Sequence, residues 1–108
     1  MVFIDLKDIE EKEIVPGFHA RFVHSQNMTF AYWRIEAGAL LPSHAHPHEQ
    51  VAHVSKGEFE LTIDGVATIL KPGQVAVIPG GVPHCGRAVT ACEIIDVFYP
   101  IREDYKKK

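Results

Sequence analysis

The chain has 108 residues, 46% of them hydrophobic, which is enough for one compact domain and too few for two. Its net charge of −3 offers no basic surface for a nucleic-acid backbone. The N-terminal residues 1–14 alternate apolar with acidic side chains, so we expect neither a signal peptide nor a membrane span there, and we predict a cytoplasmic protein with no membrane partner.

Short β-forming runs separated by Gly and Pro follow one another along the chain, which predicts an all-β sandwich or barrel with almost no helix. We expect a single domain over residues 1–108, with residues 1–16 as an N-terminal strand or arm and residues 103–108 as a charged tail whose terminal lysines are disordered. The predicted strands are Phe18–His24, Met28–Ile35, Glu49–Val54, Glu58–Ile63, Val66–Leu70, Gln74–Pro79, His84–Ala88 and Cys92–Tyr99.

The clearest turn signal is Asp64-Gly65 between two of these strands. Asp-Gly readily adopts the positive φ angles that a two-residue hairpin turn needs. The sequence therefore predicts a tight hairpin at this position.

Histidines are concentrated in one short stretch, since three of the seven lie between His44 and His48. Alternate residues of an extended segment share a face, so we expect the imidazoles of His44 and His46 to point the same way. Gln50 keeps this alternation and is placed to add an oxygen ligand. Imidazole with an amide oxygen is a donor set that suits a divalent transition metal ion.

At these residues the chain resembles the cupin superfamily. The first cupin motif is Gly, five residues, His-x-His, three or four residues, an acidic residue or Gln, six residues and Gly. The second is Gly, five residues, Pro-x-Gly, two residues, His, three residues and Asn. The matching residues here are Gly38, His44, His46, Gln50 and Gly57, then Gly73, Pro79, Gly81 and His84, with Ala88 in place of the Asn.

The resemblance implies a double-stranded β-helix, or jelly-roll barrel, with His44, His46, Gln50 and His84 around one divalent ion. Ligand type leaves Ni, Fe, Mn and Zn open. Gln50 stands where cupins more often have Glu, so the site keeps the full charge of the ion. Such a centre favours an anionic substrate and Lewis-acid chemistry over redox cycling.

Asp96 is the second feature that asks for an explanation, because it lies in the apolar run from Glu93 to Tyr99. One interpretation places it facing outward on an edge strand. The other makes it a general acid/base that points into the barrel, with Phe98 on the same face. For Trp33 we favour core or dimer packing over substrate stacking.

The run from His44 to Gln50 and the C-terminal residues 95–105 also resemble the KdgF-type pectin-degradation cupins, whose ending is D-x-F-x-P-x-R-E-D-aromatic. This resemblance implies conversion of Δ4,5-unsaturated monouronates, released from pectin or alginate, into linear keto forms. It makes Asp96 the proton-transfer residue and Phe98 a wall of the pocket. Arg102 holds the sugar carboxylate or a structural carboxylate, and Arg21 is a further substrate-binding candidate in a region that is more basic in that family.

Two alternatives stay open from the sequence: another small-molecule cupin metalloenzyme such as a dioxygenase, and a non-enzymatic small-molecule binding module. A small barrel also leaves a strand edge and apolar faces to cover. We therefore expect a homodimer.

Overall fold

The computed structural model describes residues 2–107, and over that range ten strands form two antiparallel sheets. A 3-10 turn (Leu6–Asp8) precedes the strands and a short helix, α1 (Glu103–Lys106), follows them. The strands are β1 (Lys12–Val15), β2 (Phe18–His24), β3 (Thr29–Ile35), β4 (Leu40–His44), β5 (Glu49–Lys56), β6 (Phe59–Ile63), β7 (Val66–Leu70), β8 (Val75–Ile78), β9 (His84–Ala88) and β10 (Cys92–Tyr99).

The two sheets are built from interleaved parts of the chain. The large sheet has the strand order β1-β2-β3-β10-β5-β8, and the small sheet has the order β4-β9-β6-β7. Strand β10 pairs with β3 on one side and β5 on the other, so it is an interior strand of the large sheet. The chain passes between the sheets several times, which brings residues distant in sequence to one interior.

Alternation along each strand defines the inner faces of the sheets. In β10 the buried residues are Cys92, Ile94, Asp96 and Phe98, while the residues between them are more exposed. The rings of Phe18, from the large sheet, and Phe59, from the small sheet, meet edge to face at 6.2 Å. The core therefore lies between the sheets, as sandwich packing requires.

The hairpin between β6 and β7 confirms the Asp64-Gly65 turn. Ile63 pairs with Val66, and the two turn residues have φ angles of 49° and 81°. Both values lie in the left-handed region, where Gly carries no steric penalty and Asp a small one.

Four predicted strands have the observed bounds, and the other four differ at their ends by one or two residues. Strand β4 was not predicted from the sequence. Residues 44–50 were predicted to be extended, which is wrong for residues 45–48, because they form a bend between β4 and β5.

The C-terminal residues are more ordered than we expected. Glu103–Lys106 form α1, and the ring of Tyr105 stacks on Phe22 at 4.5 Å. The expectation of disorder is therefore wrong for Lys106, whereas Lys107 is exposed and Lys108 lies outside the described residues. Across residues 2–107, no helix is long and apolar enough to span a bilayer.

Candidate metal centre

The four residues of the predicted metal site reach one point from both sheets. His44 ends β4 and is paired with His84 at the start of β9, which holds their rings 4.2 Å apart. His46 lies in the bend after β4, and its ring is 5.0 Å from that of His84. The ligand nitrogens of the three histidines lie within 4.8 Å of one another. Gln50 approaches from β5 of the large sheet.

Backbone carbonyls orient all three imidazoles. Each histidine places Nδ1 within hydrogen-bond distance of a carbonyl oxygen two residues away in the chain. The distances are 2.9 Å from His44 to Pro42, 3.1 Å from His46 to His48 and 2.9 Å from His84 to Val82. Since a carbonyl accepts, Nδ1 carries the hydrogen and each Nε2 keeps its lone pair for a metal.

The protonation of these histidines also suits a metal. Burial, followed by the charge of Arg102, lowers the pKa of His46 to about 4, and burial lowers the pKa of His84. Both rings are therefore neutral at pH 7. The Nε2 of His84 is buried and has no hydrogen-bond partner among the residues described. A bound cation would explain why this buried nitrogen has no hydrogen-bond partner.

Gln50 joins the metal site to Asp96. Its Oε1 lies 3.1 Å from Nε2 of His46, so two lone pairs face the same space. On its other side, the Gln50 side chain hydrogen bonds to Asp96 and lowers the pKa of that carboxyl. The donors therefore fit a transition metal ion with three imidazole nitrogens and one amide oxygen.

Asp96 points into the barrel, beside the metal site. It is 8% exposed, and its Oδ2 accepts a hydrogen bond of 2.9 Å from Nε1 of Trp33. Oδ1 is buried and makes no hydrogen bond of good geometry within residues 2–107. Burial raises the pKa of Asp96 to about 7, although Gln50, Trp33 and Arg102 each lower it. The interpretation of Asp96 as an outward-facing residue on an edge strand is wrong.

A cavity of about 330 Å³ opens beside this carboxyl. Most of its wall is apolar, and Phe98 and Trp33 form part of it. Its polar and charged lining residues are Ser43, His44, Gln50, His84, Asp96, Arg102 and Asp104. The interior is thus an apolar chamber lined by three of the four candidate metal ligands, two carboxyl groups and one cationic side chain.

The substrate-binding candidates divide into two groups. Phe98 and Arg102 line the cavity; Phe98 also lies 5.6 Å from the ring of His46, and the guanidinium of Arg102 lies 4.7 Å over Phe98. Arg21 lies on the outer side of the large sheet, where it donates to the Ile9 carbonyl at 3.0 Å and to Glu11 at 3.2 Å. The structure does not bring Arg21 together with the other site residues.

Three residues of this region were missed as functional candidates. Trp33 was assigned to packing, yet it also binds Asp96. Asp104 and Tyr105 were placed in the tail, yet both line the cavity. The alternating pattern of β3 could have indicated an inward-facing Trp33, whereas no local signal places the tail over the barrel.

The two histidine-bearing loops are joined at their backbones. The N–H of Gly81 donates to the carbonyl of His46 at 2.8 Å. At Gly80, an added Cβ would lie 2.3 Å from the Pro47 carbonyl oxygen. Only a residue without a side chain permits this close approach.

Comparison with known protein families gives a match to the family described as a cupin domain. The match covers residues 31–98, more than half of the chain, and agrees with the histidine spacing and the barrel. The chain belongs to the cupin family. This cupin is 36% identical over 73 residues to the pectin degradation protein KdgF of Dickeya dadantii (strain 3937), a match that covers 63% of this chain and 64% of the relative. The chain thus spans less than two thirds of that protein.

Solved cupin structures match over nearly the whole chain. An RmlC-like cupin from Shewanella frigidimarina NCIMB 400 is 30% identical with a TM-score of 0.92, covering 97% of this chain and 96% of that one. KdgF from Halomonas sp. is 26% identical with a TM-score of 0.90, covering 97% and 98%. Bacillus subtilis oxalate decarboxylase, described for its Mn(II) centres, is 25% identical with a TM-score of 0.78, covering 90% of this cupin and 29% of that enzyme.

Proposed function

We propose that the protein is a metal-dependent isomerase that converts Δ4,5-unsaturated monouronates from pectin or alginate into their linear keto forms. The observation that carries this proposal is the buried carboxyl of Asp96, held beside the candidate metal ligands with a pKa of about 7. Two relatives named KdgF, one of them described as a pectin degradation protein, support the substrate class. A cytoplasmic location stays a prediction.

His44, His46, Gln50 and His84 would hold one divalent ion, with Ni, Fe, Mn and Zn as the candidates. When bound, the ion would supply Lewis-acid polarisation of a substrate oxygen. Three imidazoles and one amide add no negative charge to the site. The charge of the ion therefore stays uncompensated, and the ion attracts an anion. This electrostatic preference agrees with a uronate as substrate.

Asp96 would move the protons. Ring opening removes a proton from the anomeric hydroxyl, breaks the bond between C1 and the ring oxygen and delivers a proton to that oxygen, which leaves an aldehyde at C1 and an enol at C5. Tautomerisation then removes the enol proton and adds one at C4, so the net reaction is an isomerisation. A carboxyl with a pKa near 7 is present in both protonation states at neutral pH, which suits it to give and accept these protons.

Arg102 and Phe98 would orient the sugar. Arg102 is the one Lys or Arg among the described residues that line the cavity, and its Nη1 is buried without a hydrogen-bond partner there. A substrate carboxylate would supply that partner. Phe98 is 2% exposed and offers a flat apolar wall to the ring.

The test is the loss of ultraviolet absorbance of a Δ4,5-unsaturated monouronate on addition of metal-loaded protein. Asp96→Asn should lose at least about a hundredfold in kcat, since general acid–base catalysis contributes on the order of 10² to 10⁴. Glu93→Gln is the matched control, because Glu93 is an exposed carboxylate on the same strand. A spontaneous rate unchanged by the wild-type protein would refute the proposal and direct the work to oxygen uptake and ligand screening.

We propose in addition that the protein is a homodimer. On the outer side of the large sheet, five apolar residues form one cross-strand row, which we call the outer row. Its members are Val23, Phe30, Val97, Val51 and Val77. The N-terminal side chains of Val2 and Phe3 are also 90% and 85% exposed. A second copy of the chain would cover both apolar surfaces by a symmetric contact.

A further inference from the structure

Arg102 is a buried cation, and its environment holds it in one orientation. It is 7% exposed, and its backbone N–H donates to the buried Thr29 hydroxyl at 2.9 Å. Its guanidinium lies near two ring faces, 4.7 Å from the centroid of Phe98 and 4.0 Å from that of Tyr105, and the two rings are inclined at 77° to each other. These contacts restrict the position of the guanidinium, because cations are attracted to aromatic faces.

Asp104 binds one edge of the same guanidinium. Nε donates to Oδ1 at 3.0 Å and Nη2 donates to Oδ2 at 2.7 Å, which is the two-point geometry that Arg and carboxylates favour. The hydrogen bonds from Arg102 lower the pKa of Asp104, so this carboxylate is ionised at neutral pH. The side chain of Asp104 is 52% exposed against 8% for Arg102. Asp104 thus offsets a buried charge from the solvent side.

This pairing leaves one nitrogen of the guanidinium without a partner in the described part of the chain. Nη1 is the guanidinium nitrogen that Asp104 does not bind, and within residues 2–107 it is buried without a hydrogen-bond partner. A buried donor on a cationic group is costly unless a ligand satisfies it. The geometry therefore separates the two edges of Arg102: one is occupied by its own carboxylate, and the other is left for an incoming one.

We propose that Asp104 is a positioning residue for substrate carboxylates. It acts through Arg102, holding the guanidinium beside Phe98 and Tyr105 so that Nη1 is presented to the carboxylate of a hexuronate. The inference rests on the proposed function for the identity of the substrate. Helix α1, which contains Asp104, would thus hold the anion-binding group in place. This role is distinct from proton transfer at Asp96.

The test is a double-mutant cycle on metal-loaded protein with Asp104→Ala, Arg102→Ala and the combined variant. We measure KM and kcat for the unsaturated monouronate, together with the dissociation constant of the saturated sugar acid galacturonate and of neutral galactose. Asp104→Ala should raise KM and the galacturonate dissociation constant roughly tenfold, leave kcat within about twofold and leave galactose binding unchanged. In the Arg102→Ala background the same change should have no further effect.

Glu103→Ala is the matched control, because Glu103 is an exposed carboxylate in the same turn that pairs with Lys106 at 3.7 Å. Asp104→Asn, which preserves the side-chain shape, replaces Asp104→Ala if the latter lowers Tm, and Asp104→Glu should restore binding in part. Additive effects of the Asp104 and Arg102 changes would overturn the inference. So would a lower KM in Asp104→Ala, which would make Asp104 a competitor of the substrate.

The two proposals fail in different ways. Absence of uronate turnover in the wild-type protein would refute the proposed function. Coupled effects of Asp104 and Arg102 on galacturonate binding would still support the positioning role. A galacturonate dissociation constant that neither substitution changes would refute the positioning role, even if turnover is present.

Discussion

At the residue scale, the site is organised around polar side chains that lie next to one another on neighbouring strands of the large sheet. Oε1 of Gln50 lies 3.1 Å from Nε2 of His46, and the Gln50 side chain also lowers the pKa of Asp96, whose Oδ2 accepts a hydrogen bond from Trp33. The acid is thus connected to the metal ligands through one side chain. A buried carboxyl of this kind weakens the fold while it serves the chemistry.

That cost gives a pH-dependent prediction for Asp96. Burial raises its pKa from 3.8 to about 7, so between these values the folded protein holds a proton that the unfolded chain has released. Stability contributed by this group therefore falls as pH rises through that window, by on the order of 4 kcal/mol at most. In metal-free protein, Asp96→Asn should raise Tm by roughly 5 °C or more at pH 8 and by less at pH 5. An equal or lower Tm at pH 8 would contradict the assigned protonation.

Metal binding gives a second prediction, at His46. Addition of Ni²⁺ or Zn²⁺ at about 100 times the dissociation constant should stabilise the wild-type protein by about 2.7 kcal/mol in thermal unfolding. His46→Ala should lose most of this gain, because it removes one of three imidazoles. His53→Ala, an exposed histidine on the outer face of β5, should retain it. Equal stabilisation of both variants would place the ion elsewhere.

At the element scale, strand pairing explains why the ligands meet. His44 and His84 are opposite each other on β4 and β9 of the small sheet, whereas Gln50 comes from β5 of the large sheet. The site closes because the bend at residues 45–48 carries the chain from one sheet to the other. The structure brings His44 and His46 together through this bend, and not through the alternation along one extended segment that was predicted from the sequence.

Some features of the fold could be predicted from local sequence signals, and others could not. The inner face of β10 was left open by the sequence, because apolar residues stand on both faces of the strand around Asp96, whereas the β6–β7 hairpin follows from a local signal, Asp64-Gly65. The position of β10 between β3 and β5 does not, since it depends on pairings with residues far away in the chain. For the same reason the packing of Tyr105 over Phe22 could not be predicted from a charged C-terminal sequence.

The contact between the two histidine loops gives a prediction at this scale. In Gly80→Ala the new Cβ would lie 2.3 Å from the Pro47 carbonyl oxygen, so the loops must separate and displace His46 or His84. We expect metal affinity to fall at least about tenfold by calorimetric titration. Gly65→Ala is the control: its φ of 81° strains the hairpin and should cost about 1–2 kcal/mol of stability, with metal affinity unchanged. Equal metal affinity in the two variants would contradict this role of Gly80.

At the scale of the whole molecule, the fold alone does not choose the reaction. The same architecture is shared with oxalate decarboxylase at a TM-score of 0.78 and with KdgF from Halomonas sp. at 0.90. The side chains in the cavity distinguish one candidate reaction from another, because function depends on the site and not on the fold. Here that set combines a neutral ligand shell, an acid with a raised pKa and a buried cation.

The assembly is also tested at this scale. Val97 lies in the middle of the outer row, so Val97→Lys places a charge in the proposed dimer contact and should give a monomeric mass by light scattering. Ala67→Lys, at an exposed position of β7 in the small sheet, should leave the dimer intact. A monomeric wild-type protein at micromolar concentration would contradict the homodimer.

The central claim is tested most directly by following a Δ4,5-unsaturated monouronate by proton NMR in D₂O with metal-loaded protein. Because Asp96 is held on one side of the cavity, we predict accelerated loss of the C4 vinyl signal and a linear keto product that carries deuterium, early in the reaction, at one of the two C4 positions. Asp96→Asn should lose this acceleration. A wild-type protein that leaves the substrate to its spontaneous rate, or that gives equal deuteration at both positions, would contradict the account.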